Sequence, residues 1–189
     1  MSIRNLDYLF RPKSIALIGA SKTAQSIGAL LAQNLIKGGF RGSVMPVNPK
    51  YRDIAGVTAY ADIASLPSAP DLAVIATPPV AVPEIIRELG QRGTKAAVVI
   101  SAGFGEVGGG KPLQQALIEA VRPYGMRIIG PNCLGILVPA LGLNASFAHL
   151  SPIPGKLAFV AQSGAIVTSV LDWAQDRGIG FSHLISLGD

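Results

Sequence analysis

The sequence has few of the residues that form disulfides or metal sites, which stabilise many small proteins in addition to a hydrophobic core. It contains one cysteine, Cys133, which excludes an internal disulfide and favours a reducing, cytoplasmic environment. Its two histidines, His149 and His183, lack the spacing of metal ligands, so we expect no metal site. No apolar run approaches the ~18 residues of a membrane span, and the first residues lack the apolar core of a secretory signal. We therefore expect a cytoplasmic protein with no membrane partner.

Charged residues are also scarce, at 14% of the chain, and they are unevenly distributed. Through Tyr60 there are eight Lys or Arg and two acids, whereas the rest of the chain has eight bases and nine acids. The bases are scattered singly and without interleaved aromatic residues, unlike a nucleic-acid surface. We therefore expect no nucleic-acid partner. Lys50 and Arg52 form the densest basic group near a predicted ligand-binding face.

Five short apolar runs alternate with amphipathic segments over the first 130 residues. The runs are continuous rather than alternating, which is typical of strands covered on both faces of a parallel sheet. The segments between them carry one apolar face each, as helices do. This pattern predicts an α/β fold with a Rossmann-like, doubly wound parallel sheet. The predicted strands are residues 15–18, 44–47, 71–76, 95–100 and 126–129.

The loops after these strands are rich in Gly, Pro and Ser. Ligands of doubly wound sheets bind beyond the carboxyl ends of the strands. Any one of these loops would pass as an ordinary turn, but five at one edge of a sheet predict a ligand cleft. The loops are residues 19–21, 48–50, 77–79, 101–106 and 130–135.

The first of these loops begins like a Rossmann phosphate-binding turn and then departs from it. A G-x-G-x-x-G motif starting at Gly19 would need glycines where Ser21 and Ala24 stand, and the next glycine is Gly28. The acid that would bind the ribose of NAD is replaced by Asn48, with Lys50 behind it. A ligand with an ADP-like body and an additional phosphate fits better, and both coenzyme A and NADP qualify.

After residue 135 the alternation pauses. Residues 138–154 contain three prolines and are expected to be irregular, whereas residues 156–187 restart a strand, turn, helix and strand. We expect a first domain over residues 1–147 and, over residues 148–189, the start of a second domain that stops incomplete at Asp189.

Seven segments then occur in an order typical of one family. They read SIALIGAS, PVNPKY, DLAVIATP, VVISAGF, GPNCLGI, GLNASFA and AQSGA. Together, from Pro12 to Asp189, they resemble the N-terminal CoA-binding region of ADP-forming acetyl-CoA synthetases, relatives of the succinyl-CoA synthetase alpha subunit. The resemblance implies that the second domain begins a flavodoxin-like ligase domain. The same module begins bifunctional proteins that acetylate protein lysines, and the final SLGD is more typical of that branch.

The resemblance also implies a set of binding residues. Small side chains there would let backbone groups approach the ligand, and the absence of an acid at Ala102 fits an acetate-type branch. The residues expected at the nucleotide and phosphate end of coenzyme A are Gly19, Ser21, Ser26, Ile27, Gly28, Asn48 and Lys50. Those expected along the pantetheine arm and beside the thiol are Thr77, Pro78, Ser101, Ala102, Gly103, Asn132 and Cys133. The turn Gln162, Ser163 and Gly164 is expected to face the phosphate of a phosphohistidine.

Two of these residues also have simpler structural roles. Cys133 is expected to be a buried apolar side chain and is not a proposed nucleophile. Ser163 is expected by default to cap the following helix, because Ala161 and Ala165 occupy the glycine positions of a G-x-S-x-G nucleophile turn.

No catalytic residue is predicted in this chain. The family's phosphohistidine lies downstream of SLGD, and neither His149 nor His183 matches its motif. We expect the chain to bind CoA without turnover. Its parent would be an ADP-forming acyl-CoA ligase or a protein acetyltransferase, using ATP or ADP with Mg²⁺. Its partners would be the missing ligase, nucleotide-grasping or acetyltransferase domains. The alternatives are an NADP-binding oxidoreductase domain and a CoA sensor without chemistry.

Overall fold

A computed structural model describes residues 3–104 and 110–189. Gly105 and Glu106, at the end of the fourth predicted loop, lie outside the described residues. Five strands form a parallel sheet in the order β2-β1-β5-β6-β7, and β3 and β4 form a separate two-stranded hairpin. The strands are β1 (Ser14–Ile18), β2 (Ser43–Val47), β3 (Asp53–Ile54), β4 (Val57–Thr58), β5 (Leu72–Ile75), β6 (Ala96–Val99) and β7 (Arg127–Ile129). All five predicted strands are therefore confirmed.

Helices cover both faces of this sheet because successive apolar residues of each strand point to opposite faces, and both faces must be buried. Ile15 and Leu17 of β1 face one core, whereas Ala16 and Ile18 face the other. The first core includes one face of α2, and the second includes apolar residues of α3 and α4. The helices are α1 (Leu6–Phe10), α2 (Ile27–Lys37), α3 (Val82–Arg92), α4 (Gly110–Val121) and α5 (Gly164–Gln175). The doubly wound α/β class is confirmed.

A second sheet of four strands is mixed, in the order β10-β11-β8-β9. Its strands β10 and β11 run parallel with α5 between them, as the predicted strand, helix and strand require. The expectation of an irregular stretch over residues 138–154 is wrong in part, because β8 and β9 form an antiparallel pair there. The strands are β8 (Gly135–Val138), β9 (Leu143–Ser146), β10 (Pro154–Ala161) and β11 (Phe181–Ser186).

The four-stranded sheet extends across the expected domain boundary at residue 147. Strand β8 pairs antiparallel with β11, through Leu137 opposite Leu184 and Ile136 opposite Ile185. Ile136 and Ile185 also belong to the core that contains α2. The boundary itself stays a prediction. Within the described residues, no helix combines the length and hydropathy needed to span a membrane.

Candidate functional site

The turn between β1 and α2, which we call the first junction, is closed by tight backbone packing. Gly19 has a φ of +89°, and a Cβ there would overlap the carbonyl of Ala76. A Cβ at Gly28 would overlap the carbonyl oxygen of Gly19. Ser26 caps α2, since its Oγ accepts a hydrogen bond from the Ala29 amide at 3.2 Å. Ser26 and Gly28 therefore hold the junction in shape.

Asn48 joins the first junction to the loop after β2. Its Nδ2 donates to the Ala20 carbonyl at 2.7 Å, and its Oδ1 accepts from the Lys50 amide at 2.9 Å. Both polar ends of the side chain are thus engaged with backbone groups. The side chain that replaces the usual ribose-binding acid fixes the distance between two loops.

A cleft of about 580 Å³, the central cleft, lies at the carboxyl ends of β5 and β6 and reaches the start of α5. Its apolar wall includes Leu134 and Phe147. It brings together seven residues that the sequence analysis selected: Ile27, Thr77, Ser101, Ala102, Asn132, Cys133 and Gly164. Residues of the expected pantetheine path and of the expected phosphate turn therefore share one cavity.

Thr77 and Ser101 link the two strand ends that form the floor of this cleft. The Ser101 hydroxyl donates to the Thr77 carbonyl at 2.6 Å, and the Ser101 carbonyl accepts from the Asn132 amide at 2.9 Å. The Oγ1 of Thr77 is buried without a hydrogen-bond partner among the described residues. A buried hydroxyl without a partner costs free energy.

Cys133 borders the central cleft from below and is only 3% exposed. Its Sγ contacts the Val99 carbonyl oxygen at 3.3 Å. Burial raises the pKa of the thiol to about 12, against the smaller opposing effect of backbone hydrogen bonds from Gly135 and Cys133. The side chain is a protonated part of the wall at neutral pH, in agreement with its expected structural role.

A second cavity of about 490 Å³, the outer groove, lies beside the first junction. The predicted residues that line it are Gly19, Ser21, Asn48, Thr77 and Pro78. Asp62 and Glu88 also line it, and hydrogen bonds from Ser65 lower the pKa of Asp62. Because Thr77 and Ala76 line both cavities, the outer groove and the central cleft are neighbours at the end of β5.

The cations nearest the outer groove follow Ser21 and Pro49 in the chain. Lys50 is exposed and forms no salt bridge or side-chain hydrogen bond with another described residue. Lys22 pairs with Asp53 at 2.9 Å, and its ammonium lies 5.8 Å from the centre of the Tyr51 ring. The sequence analysis missed Lys22, because a single lysine in a polar loop carries no signal until the β3–β4 hairpin is known.

A third cavity of about 480 Å³, the end hollow, lies at the start of α5, which we call the second junction. It is lined by Gln162, Ser163 and Gly164 together with Asn132 and Asp189. Ser163 is the N-cap residue of α5, but its side chain makes no capping hydrogen bond. The expectation that its hydroxyl caps the helix is wrong.

Several selected residues lie outside all three cavities. Ser26, Gly28, Lys50 and Gly103 do so, and a Cβ at Gly103, whose φ is +97°, would lie 3.3 Å from Pro79. His149 pairs with Asp172 at 2.7 Å, and the ring of His183 stacks edge-on against Phe10 with centroids 5.4 Å apart. Over residues 3–104 and 110–189, no three His, Cys, Asp or Glu side chains gather as a metal site would require.

Comparison with known proteins assigns both parts of the chain. Residues 13–139 match the CoA binding domain, and residues 154–189 match the succinyl-CoA ligase like flavodoxin domain. The chain is 42% identical over 185 residues to acetate–CoA ligase (ADP-forming) I of Archaeoglobus fulgidus. It is 40% identical over 190 residues to the alpha subunit of acetate–CoA ligase (ADP-forming) I of Pyrococcus furiosus.

These matches cover nearly all of this chain and a smaller part of each relative. They span 97% and 98% of the chain but 27% and 41% of the two ligases. A solved structure of dinucleotide forming acetyl-coenzyme A synthetase 1 from Ca. Korarchaeum cryptofilum, in complex with phosphate and ADP, superposes with a TM-score of 0.92 at 38% identity. That match covers 97% of this chain and 39% of the synthetase.

Proposed function

The chain belongs to the CoA binding domain family and continues into a succinyl-CoA ligase like flavodoxin domain, and on that premise we propose that it binds coenzyme A or an acyl-CoA. The nucleotide and phosphates occupy the outer groove, and the pantetheine arm passes Thr77 into the central cleft. The thiol end then lies near Cys133 and the second junction.

The observation that carries the proposal is that two cavities share Ala76 and Thr77 in their lining. Coenzyme A is a long ligand with a bulky nucleotide end and a thin arm, so it suits two neighbouring cavities that border the same residues. On the outer wall, Asp62 and Glu88 would repel phosphates, so we place the phosphate end on the side of Lys22 and Lys50.

We propose that the whole protein is an ADP-forming acyl-CoA ligase of the acetate type. The named relatives are ligases or synthetases, which favours this branch over the acetyltransferases. In such a protein the end hollow would hold an anionic phosphate near the start of α5, where free N–H groups and the helix dipole favour negative charge. ATP or ADP with Mg²⁺ would act on further domains or subunits, and the protein would work in the cytoplasm.

An NADP-binding oxidoreductase domain and a CoA sensor without chemistry are not favoured. The described lining of the two cavities includes no histidine and no Tyr–Lys pair for hydride chemistry, and the acids of the outer groove, Asp62 and Glu88, do not follow a strand of the parallel sheet directly. A sensor without chemistry is not favoured because the relative from Archaeoglobus fulgidus, which resembles this chain across its CoA binding domain, is a ligase.

Binding titrations test the proposal. Coenzyme A, dephospho-coenzyme A and NADPH are titrated into the purified chain by calorimetry, with Lys50→Ala and, as a control of equal charge loss, Lys156→Ala on the exposed strand β10. We expect coenzyme A to bind best. Lys50→Ala should weaken it about tenfold more than dephospho-coenzyme A, and the difference should shrink with salt.

Tighter binding of NADPH would overturn the coenzyme A proposal. Equal losses for coenzyme A and dephospho-coenzyme A would instead remove Lys50 from the 3′-phosphate and leave the rest standing. The control Lys156→Ala should change neither affinity.

A further inference from the structure

A fourth concave surface lies at the opposite edge of the parallel sheet from the three cavities described above. It has a volume of about 810 Å³ and is formed by three segments far apart in the chain, residues 11–13, 39–42 and 140–142. The first two lead into the amino ends of β1 and β2, and the third leads into β9. We call this surface the amino-edge groove.

Among the described residues, three cations and no acidic residue line the amino-edge groove. Arg11, Lys13 and Arg41 are all exposed. None of their side chains forms a salt bridge with another described residue, in contrast to Lys22 and Arg87. The excess positive charge of the first 60 residues thus lies at two edges of the sheet. Lys22 and Lys50 lie at the edge of the proposed coenzyme site, whereas Arg11, Lys13 and Arg41 lie at the opposite edge.

Two features of opposite sign lie close to the groove and are weaker than its cations. The backbone amide of Lys13 donates to the Asp71 carboxylate at 2.7 Å, although Asp71 does not line the groove. The carboxyl end of α2 also precedes the groove, and a helix end carries only about half an elementary charge. Lys37 in the last turn of α2 offsets that charge. The electrostatic potential in the groove is therefore positive.

Tight backbone packing fixes the three segments relative to one another. A Cβ at Gly42 would overlap the Lys13 carbonyl oxygen, and a Cβ at Gly142 would overlap the backbone of Gly39. The Ser43 amide also donates to the Lys13 carbonyl at 3.1 Å. Because these segments meet through backbone atoms, the bases of the cationic side chains are held in place before any ligand arrives.

We propose that the amino-edge groove binds a compact polyanion that carries two or more phosphate groups. The two guanidinium groups offer flat pairs of N–H donors that match phosphate oxygens, and Lys13 adds a compact charge. The groove's volume falls within the range of small-molecule sites, roughly 300 to 1,000 Å³. The ligand would occupy this edge at the same time as coenzyme A occupies the other.

Calorimetry with inorganic tripolyphosphate, at low salt, tests the proposal on the intact chain. The double variant Arg11→Gln/Arg41→Gln should weaken binding by about tenfold or more. Lys156→Gln on β10 is the control, and it should leave tripolyphosphate affinity unchanged. All three positions are exposed, and circular dichroism would verify that each variant folds.

Two further measurements locate the site and separate it from the coenzyme site. In amide NMR spectra, tripolyphosphate should shift Gly39, Gly42 and Gly142, and the double variant should bind coenzyme A as the wild type does. ATP is the second probe: equal affinity identifies the phosphate chain as sufficient, and tighter binding identifies a nucleotide as the ligand.

The proposal is overturned by unchanged tripolyphosphate affinity in the double variant. It is equally overturned by amide shifts confined to the surroundings of Ser163 or Ser21, which would place the anion in the end hollow or the outer groove. Neither result would affect the coenzyme A proposal, which depends on the other edge.

Discussion

The two junctions of this chain have the same order of strand, turn and helix, but they differ in how the helix is capped and in how tightly the glycine is packed. At the first junction, Ser26 caps α2 and a Cβ at Gly28 would overlap the Gly19 carbonyl oxygen. At the second junction, Ser163 makes no capping bond, and a Cβ at Gly164 would lie 3.0 Å from the Cβ of Leu134 and 3.6 Å from the Oγ of Ser186, without overlapping a backbone oxygen.

This difference shows that a glycine-containing turn before a helix can serve two purposes. At the first junction the Ser26 hydroxyl and the two glycines, Gly19 and Gly28, stabilise the turn itself. Ligand contacts there must therefore come from the residues around the turn. At the second junction the Ser163 side chain accepts no hydrogen bond from the N–H groups at the start of α5, which lie beside the end hollow. An anion can supply the missing acceptor, which supports the proposed phosphate position.

The largest effect we expect concerns the thiol in the wall between the junctions. Because burial raises the pKa of Cys133 to about 12 from a usual value of 9.0, its thiolate fraction at pH 8 should be about a thousandfold lower than in the unfolded chain. Iodoacetamide should therefore modify the native protein far more slowly than the urea-unfolded protein, as followed by mass spectrometry. Fast native modification would mean that this wall is open.

The same shift has a consequence for stability at high pH. As pH rises from about 9 toward 12, the unfolded thiol loses its proton while the folded thiol keeps it. The free energy of unfolding should fall over that range, since the folded state then binds more protons than the unfolded state. In urea unfolding, the stability difference between the wild type and Cys133→Ala should be constant below about pH 9 and should shift in favour of Cys133→Ala as the pH rises through that range.

The second prediction concerns the glycines of the junctions. Gly28→Ala should lower the free energy of unfolding by about 3 kcal/mol, because its methyl group would overlap a backbone oxygen that cannot move without opening the junction. Gly164→Ala is the matched control at the other helix start. It should cost about 1 kcal/mol or less, since a shift of a few tenths of an ångström accommodates it. Equal costs in urea unfolding would break the comparison between the junctions.

The parallel sheet could be predicted from the sequence because its strands are buried on both faces. Residues 15–18 and 71–76 are apolar without interruption, and such a run has few interpretations other than a central strand. Since the carboxyl ends of parallel strands lie at one edge of the sheet, the loops of the candidate site could be predicted once the strands were predicted. The loops that contain Thr77 and Ser101 were predicted in this way, whereas the family resemblance named the two residues, and the structure places both in the lining of the central cleft.

The antiparallel pair β8–β9 could not be predicted by the same reasoning. Pro139 lies directly after β8, and β9, Leu143–Ser146, carries two polar residues in four. Those two are nevertheless buried, because Asn144 and Ser146 bond to each other at 2.6 Å. A partner two residues away in the chain satisfies the polar groups, and no hydropathy pattern records such a pairing. The Lys22–Asp53 ion pair was missed for a related reason, because it exists only once two loops are placed.

The third prediction sharpens the difference between the two helix caps. Ser26→Ala should lower the free energy of unfolding by about 1 kcal/mol, because it removes the bond from the Ala29 amide and the bond to the Thr23 carbonyl. Ser163→Ala removes no capping bond and should change stability by less than about 0.5 kcal/mol. Thermal or urea unfolding of the pair measures both. A loss at Ser163 as large as that at Ser26 would show that the second junction is capped in solution.

The smallest expected effect concerns the ion pair beside the first junction. Asp53→Asn should change the free energy of unfolding by less than about 0.5 kcal/mol, since both partners are about half exposed. It should also raise the affinity for coenzyme A about two- to threefold over that for dephospho-coenzyme A. The physical reason is that Lys22 loses its internal counter-ion and becomes available to the 3′-phosphate.

The direction of this change makes it informative, because damage to a binding site rarely tightens binding. Asp172→Asn is the matched control, since it breaks an exposed pair with His149 at 2.7 Å on α5 with the same change from acid to amide. A similar gain in both variants would reflect net charge alone, whereas a gain only in Asp53→Asn would assign Lys22 to the phosphate end. No gain in either would leave Lys50 as the cation that selects the phosphate, and the ion pair would then serve only to hold the β3–β4 hairpin against the first junction.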